Sequence, residues 1–170
     1  MNKKGFLLLG VLVTITFVGQ IASAIWLYNP QGIIWVINTG WIILWISAFF
    51  GWVPILAFKI RGGVPKGESY MKTTQLVDRG IYAIVRHPQY LAGVLIGIGL
   101  PLISQHWLVA VFGILNAFIS YYSAVLEDQS LISKFGDEYH AYMQRVPRMN
   151  FLLGLARLVF RTTRQESASF

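Results

Sequence analysis

Long apolar stretches dominate the chain and alternate with short polar connections. Residues 5–28 and 33–58 each exceed the ~20 residues that a helix needs to cross a bilayer. The turn-forming residues of 29–32 separate them. Two further apolar stretches, residues 89–104 and 106–126, follow so closely that they form a tight hairpin. The pattern therefore predicts an all-α integral membrane protein with four transmembrane helices.

The third stretch is short, which leaves a second arrangement open. Three spanning helices and a re-entrant hairpin over residues 89–126 fit the hydropathy as well. The N-terminal stretch also has an alternative, because Lys3-Lys4, an apolar run and Ala22-Ser23-Ala24 resemble a cleaved signal peptide. The apolar run continues past residue 24, so a retained helix is favoured.

Two polar regions complete the predicted architecture of a single membrane domain. Residues 59–88 form a loop, and residues 127–160 form a small helical cap at the membrane surface. Within this cap, residues 127–145 show the spacing of an amphipathic helix, in which Gly136 allows a bend. Residues 151–160 are apolar with one arginine and predict an interfacial helix.

The amino-acid composition limits the class of protein, the possible active-site groups and the partners. Hydrophobic residues make up 55% of the 170 residues and charged residues only 12%, which is typical of a polytopic membrane protein. The chain has no cysteine, which excludes disulfides and thiolate nucleophiles. Its three histidines share no metal-ligand spacing, so no metal site is predicted. The net charge of +7 favours anionic lipid headgroups rather than nucleic acid as partners.

The basic residues predict the orientation. All fourteen fall in three places, and the two intervening turns carry none: Lys3 and Lys4; Lys59, Arg61, Lys66, Lys72, Arg79 and Arg86; Lys134, Arg145, Arg148, Arg157, Arg161 and Arg164. With four spans these places share one side, which the positive-inside rule makes cytoplasmic. We therefore expect both termini and both polar motifs on the cytoplasmic side.

Two motifs carry the candidate chemistry. The first is Arg86-His87-Pro88-Gln89-Tyr90, which lies at the start of the third apolar stretch. The second begins at Glu127-Asp128 and continues through Phe135-Gly136, Tyr139, Tyr142 and Arg145-Val146-Pro147-Arg148. Pro88 suits the first position of a helix, whose free amides attract anions. Ionisable groups beside a membrane are costly and usually functional.

Together the motifs resemble the isoprenylcysteine carboxyl methyltransferase family, which is related to the membrane phospholipid methyltransferases. The resemblance covers roughly residues 73–150 and includes Gly80, Tyr82, Arg86, His87, Pro88, Tyr90 and, one residue late, Gly93. The family's usual Glu-Glu pair is Glu127-Asp128 here, so the role of the shorter Asp128 stays open.

The resemblance implies a methyltransferase that uses S-adenosylmethionine. It implies cofactor binding by Tyr82, His87, Tyr90, Gly93 and Glu127. It implies that Arg86 and Arg145 bind and orient an anionic acceptor. The neighbouring Arg148 is a third candidate for this role, because a guanidinium can hold a carboxylate in a forked geometry. The expected acceptor is a lipophilic molecule from the bilayer, with an isoprenylcysteine-like carboxylate favoured.

Several alternatives stay open on the sequence. The motif arginines and aromatic residues could anchor helices at lipid headgroups, and Glu127 or Asp128 could cap a following helix. Other functions are a phospholipid amine N-methyltransferase, an NADPH-dependent membrane reductase and a non-catalytic lipid-binding membrane protein. The sequence predicts neither the acceptor nor the oligomeric state.

Overall fold

The computed structural model describes residues 3–63 and 74–167, and these residues form α-helices, one 3₁₀ turn and no strand. The predicted loop 59–88 thus includes residues 64–73, which lie outside the described residues. The six α-helices are α1 Lys3–Trp26, α2 Ile34–Arg61, α3 Pro88–Ser104, α4 Trp107–Phe135, α5 Asp137–Arg145 and α6 Phe151–Ser167, and the 3₁₀ turn is Gly80–Ala83. The all-α prediction is confirmed.

Within residues 3–63 and 74–167, three helices are long and apolar enough to cross a membrane: Leu8–Trp26 within α1, all of α2 and all of α4. Helix α3 is also apolar but has only 17 residues. Apolar side chains on these helices face outward, as expected where lipid replaces water; for example Trp35 and Trp45 are about three-quarters exposed. The chain is therefore an integral membrane protein, and the number of spans stays a prediction.

The chain divides into two compact units. The first contains the described residues of 1–51 and 89–127, and the second those of 52–88 and 128–170. The two units differ in composition. The first consists mostly of apolar helix, whereas most of the ionisable residues belong to the second.

Small residues set the helix packing of the first unit. A Cβ added at Gly113 would overlap the carbonyl of Gly97, so α3 and α4 touch through their backbones. A Cβ at Gly40 would lie 2.8 Å from the carbonyl oxygen of Gly99, so α2 also packs closely on α3. Where lipid surrounds the helices, such close contacts are a main source of association.

The connection between α3 and α4 is held by one side chain. Gln105 has a φ of 48°, a conformation that non-glycine residues rarely adopt. Its amide oxygen accepts a hydrogen bond from the Ile33 N–H at 3.1 Å, and its amide nitrogen donates to the Ile33 carbonyl at 2.9 Å. These two bonds tie the turn to the start of α2 and offset the cost of the left-handed residue.

Helix α4 corrects one prediction about the cap. We expected the fourth apolar helix to end at residue 126 and a second helix to begin at 127. Instead α4 continues unbroken to Phe135, and the chain turns at Gly136, whose φ is 54°. No glycine or proline interrupts residues 114–135, so nothing in the sequence ends the helix earlier. Glu127 and Asp128 thus lie inside a helix and do not cap the start of one.

The second unit has its own apolar core on α5 and the residues that follow. Tyr139, Tyr142 and Val146 are buried and pack against Leu131 and Phe135 of α4, among other residues. This core holds α5 against the end of α4. It thereby determines which side chains of the two helices face each other.

Helix α6 packs through one small residue. A Cβ added at Gly154 would overlap the backbone of Ile84, so α6 lies directly on the segment before Arg86. The opposite side of the helix is apolar and exposed, as at Leu152, Val159 and Phe160. The helix predicted over residues 151–160 is therefore confirmed as a helix, and it extends to Ser167. Its location at the membrane interface stays a prediction.

Candidate functional site

The two sequence motifs lie against each other in the second unit. The Arg86 N–H donates to the Pro147 carbonyl at 3.0 Å, and the His87 N–H donates to the Arg148 carbonyl at 3.1 Å. These bonds align residues 86–87 with residues 147–148. Residues about 60 positions apart in the sequence thus share one short stretch of paired backbone.

Asp128 is the centre of this region. Its Oδ1 accepts hydrogen bonds from Arg86 Nη1 at 2.9 Å, from His87 Nε2 at 2.7 Å and from the Tyr139 hydroxyl at 2.5 Å. Its Oδ2 accepts a hydrogen bond from Arg148 Nε at 2.8 Å. We call these five residues the Asp128 cluster. Because an ionised carboxylate only accepts hydrogen bonds, His87 carries a proton on Nε2.

The cluster is largely removed from solvent. The side chains of Asp128 and His87 are each 3% exposed and that of Arg86 7%, whereas that of Arg148 is 25% exposed. Charged groups are rarely buried without partners, because desolvation strongly disfavours an isolated charge. The donors around Asp128 supply that compensation, and Arg148 forms the accessible edge of the cluster.

Positive charge exceeds negative charge in the cluster. The Asp128 carboxylate faces two guanidinium groups, each of which stays protonated in proteins. Moreover, Arg86 Nε is buried and has no hydrogen-bond partner among the described residues. A buried donor without an acceptor costs free energy. The cluster can therefore accept an additional anionic or hydrogen-bond-accepting group.

Two tyrosines of α5 support the cluster. Burial, followed by the hydrogen bond and the charge of Asp128, raises the pKa of Tyr139 well above its ordinary value. Burial likewise raises the pKa of Tyr142, whose hydroxyl donates to the Tyr82 carbonyl at 2.7 Å. Both hydroxyls thus stay protonated donors at physiological pH. The ring of Tyr82, a predicted cofactor residue, is buried and lies 4.9 Å from the ring of Phe58.

Arg145 does not join the cluster. Its guanidinium pairs with Asp78 at 3.3 Å, and its side chain is half exposed. Its backbone carbonyl accepts a hydrogen bond from Arg161. The three predicted catalytic arginines therefore separate into two environments: Arg86 and Arg148 bind Asp128, and Arg145 lies at the surface with a different carboxylate.

The remaining predicted cofactor residues belong to the first unit. Tyr90 and Glu127 interact with each other through a hydrogen bond between their side chains. Glu127 is exposed, in contrast to its buried neighbour Asp128. Gly93 faces Ser120, whose hydroxyl oxygen would lie 2.9 Å from an added Cβ. Close packing of α3 on α4 therefore accounts for a glycine at this position.

Asp128 and Tyr139 are the members of the cluster that sequence reasoning left without a definite role. The motif contains both, but the sequence assigned neither of them to the cofactor or to the acceptor. Their contact depends on the turn at Gly136, which brings α5 back toward α4. The useful signal was the position of Asp128, an acid close to the end of a long apolar stretch, since ionisable residues at a membrane are rarely tolerated without partners.

A comparison with protein families gives a match to membrane methyltransferases. A family model described as phospholipid methyltransferase matches residues 32–138, more than half of the chain. The matched range includes Arg86, His87 and Asp128 and ends just before Tyr139. No curated protein matches the chain.

Proposed function

Because the chain belongs to the phospholipid methyltransferase family of membrane methyltransferases, we propose that it transfers a methyl group from S-adenosylmethionine to a lipophilic acceptor. The favoured acceptor is an isoprenylcysteine-like carboxylate. The observation that carries this choice of acceptor is the Asp128 cluster, in which two guanidinium groups bind the carboxylate of Asp128. The unpartnered Arg86 Nε is a further donor suited to a carboxylate oxygen.

Methyl transfer to a carboxylate requires little from the protein except that it position the reactants. S-adenosylmethionine supplies an activated methyl group on a sulfonium, and a carboxylate acceptor is already a nucleophile at neutral pH. General acid–base catalysis is therefore unnecessary, and holding the reactants in line away from water provides most of the rate. Arg86 and Arg148 are suited to orient an anionic acceptor. Arg145 was also predicted in this role, and its pairing with Asp78 makes it the weaker candidate.

The residues proposed for the cofactor are Tyr82, His87, Tyr90, Gly93 and Glu127, as the motifs imply. Glu127 is the member whose environment supports the proposal best. It is an exposed carboxylate with Tyr90 as a hydrogen-bonding neighbour, and carboxylates suit ribose hydroxyls or a nearby positive charge. We propose that the cofactor comes from the cytoplasm and that the acceptor comes from the bilayer.

A phospholipid amine is the second candidate acceptor, because the description of the matching family names phospholipids. An amine becomes nucleophilic only after it loses a proton, so its methylation needs a base. Glu127 is the exposed carboxylate beside the motif that could bind such an ammonium group. The excess of cations around Asp128 disfavours a cationic acceptor and supports the carboxylate instead.

The first test is calorimetric titration of the detergent-purified protein with S-adenosylhomocysteine. We expect saturable binding that is lost in Glu127→Ala and strongly weakened in His87→Ala. Glu138→Gln removes an exposed acid of α5 and serves as the matched control, with wild-type affinity expected. Absence of binding by a folded wild-type protein would contradict the proposal.

The second test identifies the acceptor. Radiolabelled S-adenosylmethionine is supplied with either a farnesylated cysteine carboxylate or phosphatidylethanolamine in mixed micelles. We expect label in the prenylated product, in a form that mild base releases as methanol. Base-stable label in the phospholipid would instead establish N-methylation.

A further inference from the structure

We propose that Asp128 is a positioning residue that fixes the guanidinium groups of Arg86 and Arg148 for the acceptor, and that it is not itself a ligand of the cofactor. This inference deepens the proposed function and rests on it. It assigns a role to the acid that stands at the second position of the Glu127-Asp128 pair.

The hydrogen-bond capacity of the carboxylate supports this assignment. Oδ1 already accepts three hydrogen bonds, from Arg86, His87 and Tyr139, and Oδ2 accepts one from Arg148. A carboxylate offers about four lone-pair sites. Asp128 is also 2% exposed. Its acceptor capacity is thus used within the protein, which leaves little for a ribose hydroxyl.

Arg86 retains a donor beyond those that Asp128 uses. A guanidinium has five N–H donors, and Asp128 takes the Nη1 edge of Arg86 and the Nε of Arg148. The buried Nε of Arg86 has no partner among the described residues, and Arg148 is the most exposed member of the three ion pairs. Asp128 therefore sets the directions of two cations without neutralising both.

Backbone hydrogen bonds indicate that the role of Asp128 goes beyond joining the two chain segments. Residues 86–87 are already joined to residues 147–148 by two backbone hydrogen bonds. Those bonds hold the two segments together without Asp128. What the carboxylate adds is the orientation of long side chains that have many rotamers, about 2 kcal/mol of rotamer entropy for each arginine. Orientation of this kind affects turnover directly, since a misplacement of about 1 Å can lower a rate by about 100-fold.

The central variant is Asp128→Asn, which keeps the shape of the side chain and removes its charge. Glu138→Gln on α5 is the matched control, because it makes the same chemical change at an exposed position. We expect Asp128→Asn to lower kcat/KM for the acceptor by about 100-fold while the affinity for S-adenosylhomocysteine stays close to that of the wild type. Loss of S-adenosylhomocysteine binding by a folded Asp128→Asn protein would overturn the proposal and make Asp128 a cofactor ligand.

A double variant separates positioning from a general structural role. If Asp128 acts through Arg148 as well as Arg86, the combined variant Asp128→Asn with Arg148→Gln should lose less activity than the product of the two single losses. Residues that act as one unit show such strong non-additivity. Fully multiplicative losses would show that the two side chains act independently and would overturn the proposal.

Arginine labelling provides a measurement that does not depend on activity. Phenylglyoxal modification, read by mass spectrometry, should increase several-fold at Arg148 in Asp128→Asn and stay unchanged at Arg145. Asp78→Asn should give the reverse pattern, because Arg145 pairs with Asp78. Unchanged Arg148 labelling in Asp128→Asn would overturn the proposal. If the wild-type protein showed no methyl transfer, this result would contradict only the proposed function. The labelling would still test whether Asp128 orients the arginine side chains.

Discussion

Among the described residues, each unit contains a buried polar network, and the chemistry of the two networks differs. In the second unit a charged carboxylate collects four donors from four residues. In the first unit Asn116 donates to Gln20 at 2.7 Å, and Gln20 donates to the backbone carbonyls of Gly97 and Val109 at 3.2 and 3.4 Å. Gln20 and Asn116 are neutral and at most 1% exposed.

The two networks illustrate two different roles of buried polar side chains. The amide pair binds backbone carbonyls where α3 and α4 touch at Gly97 and Gly113, so it joins α1 to that contact. Neutral side-chain hydrogen bonds between membrane helices are worth only about 0.6 kcal/mol on average. The Asp128 cluster holds several charges whose removal one at a time is costly. We conclude that the amide pair stabilises helix packing, whereas the charged cluster is the region on which the proposed function depends.

The largest expected effect is on the charged cluster. Asp128→Ala leaves the buried charge of Arg86 and the His87 donor without their acceptor. We expect a loss of about 3–5 kcal/mol in the free energy of unfolding, as for other broken buried ion pairs. Equilibrium unfolding in detergent measures it. A loss below that of Asn116→Ala would contradict the distinction drawn between the two networks.

A pair of tyrosine variants gives an intermediate effect. Tyr139→Phe removes a hydrogen bond to a charged acceptor and should cost about 1.5–3 kcal/mol. Tyr142→Phe removes a hydrogen bond to the neutral carbonyl of Tyr82 and should cost about 0.5–1.5 kcal/mol. Both changes keep the ring in the same apolar core. Thermal unfolding of the two variants side by side measures the difference, and equal losses would show that the charge of Asp128 adds nothing.

The smallest effect is expected in the first unit. Asn116→Ala removes the donor to Gln20 and should cost no more than about 1.7 kcal/mol, the upper end for such bonds in membranes. Methyl transfer should persist, because this pair only supports helix packing. Asn38→Ala, at an exposed position of α2, is the control for losing an asparagine. If Asn116→Ala abolished turnover in a stable protein, the amide pair would also have a functional role.

Much of the architecture was predictable because it depends on local pattern. The lengths of the apolar stretches predicted helices α1 to α4, and the polar turn at residues 29–32 separates α1 from α2. The motifs predicted the family, which the family match confirms. The boundary at residue 126 was wrong, because a change from apolar to acidic residues alters the surroundings of a helix without breaking its backbone hydrogen bonds. Only Gly136, with its positive φ, ends α4.

The two motifs that supply the candidate site were predictable from the sequence, but the members of the Asp128 cluster and their pairing were not. The sequence itself determined that two motifs rich in arginine, histidine, acid and tyrosine would serve one region, because ionisable groups beside apolar helices need partners. The tertiary structure alone decided that Arg148 joins Asp128 while Arg145, three residues earlier, pairs with Asp78. The physical reason is the direction of the chain after α5. This helix ends at Arg145, and residues 147–148 then form backbone hydrogen bonds with residues 86–87. That backbone pairing places Arg148 at the buried carboxylate.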